Sequence, residues 1–380
     1  MDYIYSTLTT TRQPEKAVEE IARNLHKEPG FVLFFASTVY SFEKLTELFK
    51  QKYPQAQIVG VTTTGEIGPQ GYSEYSLSAQ SFSGEFGKVQ AVLMKDIVKY
   101  PIFDRGNLVQ AAKSIGIQVG SKTIEKEGLG LVFPVGLKAG EEKMLSVVNS
   151  IFHYDGFPIF GGTAGDDAKF VTTKVSVNGE ITSTGGAAIF LKPVVDFYIY
   201  KENIFKSTGK QVKITKADAE KRIVYEMNNR PAAEVYAELL KVPKNDLGKH
   251  FALHPLGRKF NQDFLIASPF QVKSSGEVEF YCQVYEGAIV DILEPKNPVL
   301  EMEKTIADFS GRFTQLHGVL GCNCILRKVQ FQNEQLFSKL NTQLSVLPNL
   351  CGFSSYGEQL NKSQLNQTLL LIGFGKLRKE

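Results

Sequence analysis

Short apolar runs and amphipathic stretches follow one another along the chain in an order that recurs three times. The apolar runs, at residues 31–36 (FVLFFA), 129–133 (LGLVF) and 319–322 (VLGC), are too short to span a membrane and read as buried strands. A polar break follows each, at Ser37-Thr38, at residues 134–136 and at residues 323–327. Apolar residues three and four apart come next, the spacing of a helix face: Phe42, Leu45, Leu48 and Phe49, then Met144, Leu145, Val148 and Ile151, then Leu336, Leu340 and Leu344. Corners containing Pro54, Pro158 and Pro348 are expected to stop these helices. After a glycine turn the chain enters another apolar strand, at residues 77–82, 187–191 and 369–374. The repeated unit is strand, helix, glycine turn, strand.

The turns resemble one another in detail. They are GVTTTGEI at 60–67, GGTAGDD at 161–167 and GFSSYGEQ at 352–359, and each ends in glycine followed by an acid: Gly65-Glu66, Gly165-Asp166 and Gly357-Glu358. A glycine there permits positive φ or a close backbone approach, and the acid after it can point into a shared space.

Between the repeats, residues 10–26 carry Ala17, Val18, Ile21, Ala22 and Leu25 on one face, an amphipathic helix. Residues 89–94 read as a strand, 106–120 as a linking helix, and 175–181 as a hairpin closed by Asn178-Gly179. Short strands are expected at 197–200, 212–214 and 222–227, then a break at Asn228-Asn229-Arg230-Pro231, a helix at 232–240 and a polar loop at 250–257. Strands at 264–267, 278–282 and 288–293 and a helix at 299–313 lead into the third repeat. The pattern predicts an α/β (α+β) fold of mixed β-sheets flanked by helices, with three repeated units in two domains. The expected division is an N-terminal helix in 1–30, one domain over 31–228 and a second over 229–375.

Composition narrows the function classes. With 380 residues, 43% of them apolar and 22% charged, the chain is long enough for two globular domains. Its net charge of +3 is dispersed, so nucleic acid and anionic membrane surfaces are not implied as partners. Without a basic-then-apolar leader or an apolar run of membrane-spanning length, the expectation is a cytoplasmic protein with no membrane insertion. Cys282, Cys322, Cys324 and Cys351 are too irregularly spaced for a disulfide framework, which is compatible with a reducing compartment.

Phosphate binding is the first chemistry a glycine-rich turn suggests. The spacing of Gly60 and Gly65 fits a Walker loop, but Glu66 and Ile67 stand where lysine and serine are needed. Glu66, Asp166, Asp167 and Glu358 can act as acids or bases, hold a metal, receive an ammonium group, or simply bind backbone N–H groups as turn acids. Arg327 ends a strand, where it either clamps a carboxylate or pairs with Glu334 or Glu358. Cys322 and Cys324 face the same side of that strand and read as buried thiols rather than zinc ligands. A hydrolase using Cys322 or the acids ranks last, because no base such as His317 is placed beside the thiol. His250 and His254, four apart, are either loop histidines or a source of one axial haem ligand, since Pro255 argues against a continuous helix. Tyr72, Tyr75, Tyr356 and Phe353 line a pocket or fill the core.

The motifs resemble a known family. GVTTTGEI with Gly71-Tyr72 and SLSAQSF, LVFPVGL, and FPIFGGTAGDDAKF with VNGE are similar to the N-terminal FIST domain. RPAAEVYAELL, HPLG, YEGAIVDIL, GVLGCNCILR and NLCGFSSYGEQLN with Asn366 and Thr368 are similar to the C-terminal FIST domain. The likeness covers about residues 31–370, departing at Cys322 to Arg327, where a cysteine, a short gap and an arginine are usual, and at Gln359, where an apolar residue is common. It implies a non-enzymatic intracellular sensory module that binds a small molecule such as an amino acid and acts through a separate signalling partner. Haem is the alternative cofactor it implies, in a nitric oxide sensor that regulates a histidine kinase or a cyclic-di-GMP enzyme such as a diguanylate cyclase.

The site expected from these residues lies where the turns converge. From the first turn come Thr62, Thr63, Gly65 and Glu66, and from the second Gly162, Thr163, Gly165 and Asp166. The third contributes Ser355, Tyr356, Gly357 and Glu358, with Arg327 beside it. The acids would orient a cationic group, and Arg327 with turn N–H groups an anionic one.

Overall fold

The computed structural model describes residues 2–260 and 263–379. Packing separates the chain into two compact units. Unit 1 comprises residues 1–201, 302–363 and 369–380, and unit 2 comprises residues 202–301 and 364–368. The first two repeats fall in unit 1, and so does the third apart from residues 364–368. The break read at 228–231 is a tight turn inside unit 2, joining strands Ile223–Met227 and Arg230–Pro231. The expected N-terminal helix is Pro14–Arg23, and a strand, Ile4–Thr9, precedes it.

Unit 1 is built from three sheets of one plan, so the expected mixed-sheet α+β class is what is observed. In the first, the order is Ile4–Thr9, Leu77–Ser83, Pro29–Ala36, Gln57–Thr62. In the second it is Gly87–Met94, Gly186–Pro193, Leu129–Pro134, Ile159–Gly162, and in the third Asp196–Asn203, Thr368–Leu377, Phe313–Cys324, Leu350–Ser355. The two innermost strands of each repeat run parallel, because a helix-bearing crossover joins them.

Each sheet is completed by a short hairpin from another repeat. The hairpin after the first turn, Glu66–Gly68 with Gly71–Ser73, pairs with Leu350–Ser355 of the third repeat. That after the third turn, whose first strand is Glu358–Leu360, pairs with Ile159–Gly162 of the second. That after the second turn, Val175–Val177 with Glu180–Thr182, pairs with Gln57–Thr62 of the first. The exchange closes a ring.

Strands buried on both faces explain the continuous apolar runs. Phe31, Leu33 and Phe35 face a core shared with Leu129, Leu131, Phe133, Leu320 and Cys322. Val32, Phe34 and Ala36 face outward against helices Pro14–Arg23 and Phe42–Lys52. One phenylalanine from each repeat meets at the middle: the ring of Phe35 lies 4.7 Å from Phe353 and 5.9 Å from Phe133, and the last two are 6.0 Å apart.

Two sequence expectations change here. The polar break at residues 323–327 is the end of strand Phe313–Cys324 and the start of a helix, Ile325–Asn333, because Arg327 and Phe331 form a buried i, i+4 pair. The second repeat's helix ends at Asn149, well before Pro158, which instead leads into strand Ile159–Gly162. Among the described residues, no helix is long and apolar enough to cross a membrane.

Unit 2 is a further sheet packed on helix Ala232–Leu240, with Val212, Ile214, Val224, Tyr236, Leu256 and Ile292 in its core.

Candidate functional site

The hairpin exchange forces the three glycine turns together, and their backbones bond directly. Between the first and second, Gly165 N donates to Thr62 O at 2.9 Å and Asp167 N to Thr63 O at 2.8 Å. Between the first and third, Thr64 N donates to Ser354 O at 3.1 Å and Ser354 N to Gly65 O at 2.8 Å. Between the second and third, Thr163 N donates to Gly357 O at 2.8 Å and Tyr356 N to Thr163 O at 3.1 Å. Close approach is what the glycines supply: a Cβ on Gly165 would sit 2.5 Å from Thr64 Cγ2 and 3.0 Å from the backbone of Thr63. Gly65 has φ +122° instead, and its bare Cα lets the Lys328 ammonium lie against the first turn.

The expected site residues are therefore neighbours, but they face inward. Glu66, Asp166 and Glu358 are all buried. Glu66 accepts from Thr63 Oγ1, from Ser76 N at 2.9 Å and from Ser76 Oγ at 2.6 Å. Burial pushes its carboxyl up to about 7, against the pull of the Ser76 and Thr63 hydrogen bonds and with a small push from Asp167. Asp166 accepts from the backbone N–H groups of Phe170 (3.0 Å), Val171 (2.7 Å) and Thr172 (2.9 Å), and from the Tyr356 hydroxyl. That is a turn acid securing its own loop. Glu358 accepts from Ser355 Oγ at 2.7 Å. Thr163 Oγ1 receives Gln359 Nε2 at 2.9 Å, so the departure at Gln359 ties the third turn to the second. Thr62 bonds through its hydroxyl to Lys174 N at 2.9 Å, and Gly162 pairs with Glu358 across the exchanged strand.

Arg327 is also buried, with Nε donating to Asn323 Oδ1 at 2.9 Å and its guanidinium 5.1 Å over the Phe331 ring. Asn323 Oδ1 accepts from Tyr72 Oη too, at 3.2 Å. Cys322 lies at the core, where burial first, then Glu358 and Cys351, hold its thiol well above the ordinary value, opposite to what a nucleophile needs. Phe353 is core and Tyr75 is exposed at the surface. In unit 2, His254 Nδ1 lies 3.0 Å from Leu293 O, and its ring centre is 6.4 Å from that of His250.

A recess of about 190 Å³ opens beside the junction of the first and third turns, lined by Tyr72, Ser73, Glu74, Lys328, Phe337 and Ser354. Lys328 Nζ donates to Thr64 O at 2.7 Å and pairs with Glu74 Oε1 at 2.7 Å. Only Tyr72 among these was singled out from the sequence. A lysine opening a helix beside a buried arginine reads as a solvated residue, and only the exchanged hairpin brings Glu74 and Tyr72 to it.

Residues 30–230 of the chain match the FIST N domain and residues 232–361 the FIST C domain. The chain belongs to the FIST family. FIST domains are sensory domains associated with small-ligand binding in signal transduction. An uncharacterized protein of Methanocaldococcus jannaschii is 24% identical over 396 aligned positions, covering 90% of this FIST chain and 72% of its own length. A structure of PurLQS from Thermotoga maritima aligns with 100% of this chain and 74% of that one at 9% identity and a TM-score of 0.19, too low to carry an argument.

Proposed function

We propose that this FIST protein is an intracellular sensor whose small ligand, an amino acid or related metabolite, binds in the recess beside the first and third turns and acts through a separate signalling protein. The observation that carries this reading is the position of the recess. Ser354 and Lys328, two of its walls, hold backbone bonds to Gly65 and Thr64 that join one repeat to another. A molecule seated there would bias how two repeats bond, the differential contact that a switch needs. The buried acids and Arg327 then serve as the frame that fixes the turns, with the ligand against their outer edge. At about 190 Å³ the recess is below the usual range for drug-sized ligands and suits a small metabolite.

A thermal-shift screen of the full chain against amino acids and small carboxylic acids tests this. A hit is expected to raise Tm in wild type and to lose that effect in Ser354→Leu, which puts a bulkier side chain at a wall of the recess. A hit unaffected by Ser354→Leu would place binding elsewhere.

Haem remains a second reading. A hydrogen bond from Nδ1 of His254 to Leu293 O would leave Nε2 with the lone pair that an axial ligand needs. Haemin in the same screen is then expected to give a Soret band that His254→Ala removes.

A further inference from the structure

We infer that the recess is a carboxylate site for a small planar acid, with the Glu74 side chain as its built-in competitor; this rests on the small-ligand reading above. The Lys328 ammonium has three N–H donors. One is fixed on Thr64 O, a backbone atom held by the turn. A second meets Glu74 Oε1, and among the described residues no protein acceptor takes the third. The lysine side chain is only 14% exposed whereas that of Glu74 is 35% exposed, so the carboxylate is the partner that can leave toward water. A ligand carboxylate entering from the open side would take both vacated and unused donors, as Glu74 does with one oxygen now.

The rest of the wall selects a flat group. Tyr72 and Phe337 lie with ring centres 5.8 Å apart and planes tilted by 41°. Tyr72 is held in advance: its N–H donates to Asn341 Oδ1 at 2.7 Å, Asn341 Nδ2 donates to its carbonyl at 3.0 Å, and its hydroxyl reaches Asn323. A cavity of roughly 150 Å³ is known to hold benzene. The 190 Å³ here accommodates one ring bearing a carboxylate.

Titration calorimetry of the full chain with benzoate and with benzylamine tests the assignment. Wild type is expected to bind benzoate and not benzylamine. Glu74→Gln, at a part-exposed side chain, is expected to tighten benzoate binding by up to about fivefold because its competitor is gone. Lys328→Met should abolish it. Benzylamine binding more tightly, benzoate affinity indifferent to Glu74→Gln, or no benzoate binding in wild type and Glu74→Gln alike would overturn the proposal. A screening hit that stabilises Lys328→Met and Glu74→Gln as it does wild type would overturn it while leaving the sensory reading in place.

Discussion

Glu66 is a carboxyl group buried among hydroxyls, and its titration has a definite sign. Its folded value of about 7 lies above the ordinary 4.5, so the folded state holds the proton more tightly than the unfolded chain. The stability it contributes is fully present below about pH 4.5 and is lost as pH rises through about 7. Glu66→Gln keeps the shape and an oxygen to accept from Ser76 while removing the charge, and its amide N–H can donate to a Thr63 hydroxyl that turns to accept. The variant is expected to gain on wild type as pH rises from 4.5 to 8, by on the order of 3 kcal/mol, in urea unfolding at several pH values. A difference that stays constant with pH would contradict the assignment. The sequence singled out this residue and its two counterparts, because glycine followed by an acid is visible three times. It did not show that each acid is turned inward and occupied. The amides of residues 170–172 lie in Asp166's own loop and Thr63 three residues before Glu66, as the turn-acid alternative allows, but Ser76 lies ten residues beyond Glu66 and no spacing rule connects it to that acid.

At the scale of elements, the long apolar strands and helix faces were legible because two-sided burial and 3.6-residue periodicity leave strong patterns. The exchanged hairpins were legible only once. Asn178-Gly179, with φ of 52° and 100°, marks the second hairpin plainly. All three hairpins have strands of three residues, too short for alternation to register, and the first and third turn at Pro69-Gln70 and Asn361-Lys362, without the Asn-Gly pair that marks the second. Their pairing partners lie hundreds of residues away, so which sheet they complete follows from topology alone. The helix Ile325–Asn333 was missed for a related reason, since its apolar face is a buried arginine over Phe331. Turn-to-turn packing makes its own test. Gly165→Ala places a methyl against the backbone of Thr63 and is expected to cost about 1–3 kcal/mol in denaturant unfolding. A neutral result would mean that the first and second turns are not in contact.

At the scale of the molecule, three like units close a ring by each lending a hairpin to another, around a core where Phe35, Phe133 and Phe353 meet. A ring transmits strain because no junction can open without its neighbours. A recess lies beside the junction of the first and third turns, and under the proposed function a ligand there would tighten or loosen the bonds of Thr64 and Ser354. Amide hydrogen exchange of the full chain, with and without saturating benzoate or the best hit of the metabolite screen, measures this directly. The expected result is slowed exchange at Thr64, at Ser354 and in the 71–76 segment, with the second turn responding more weakly. Protection confined to unit 2, with exchange at Thr64 and Ser354 unchanged, would contradict it.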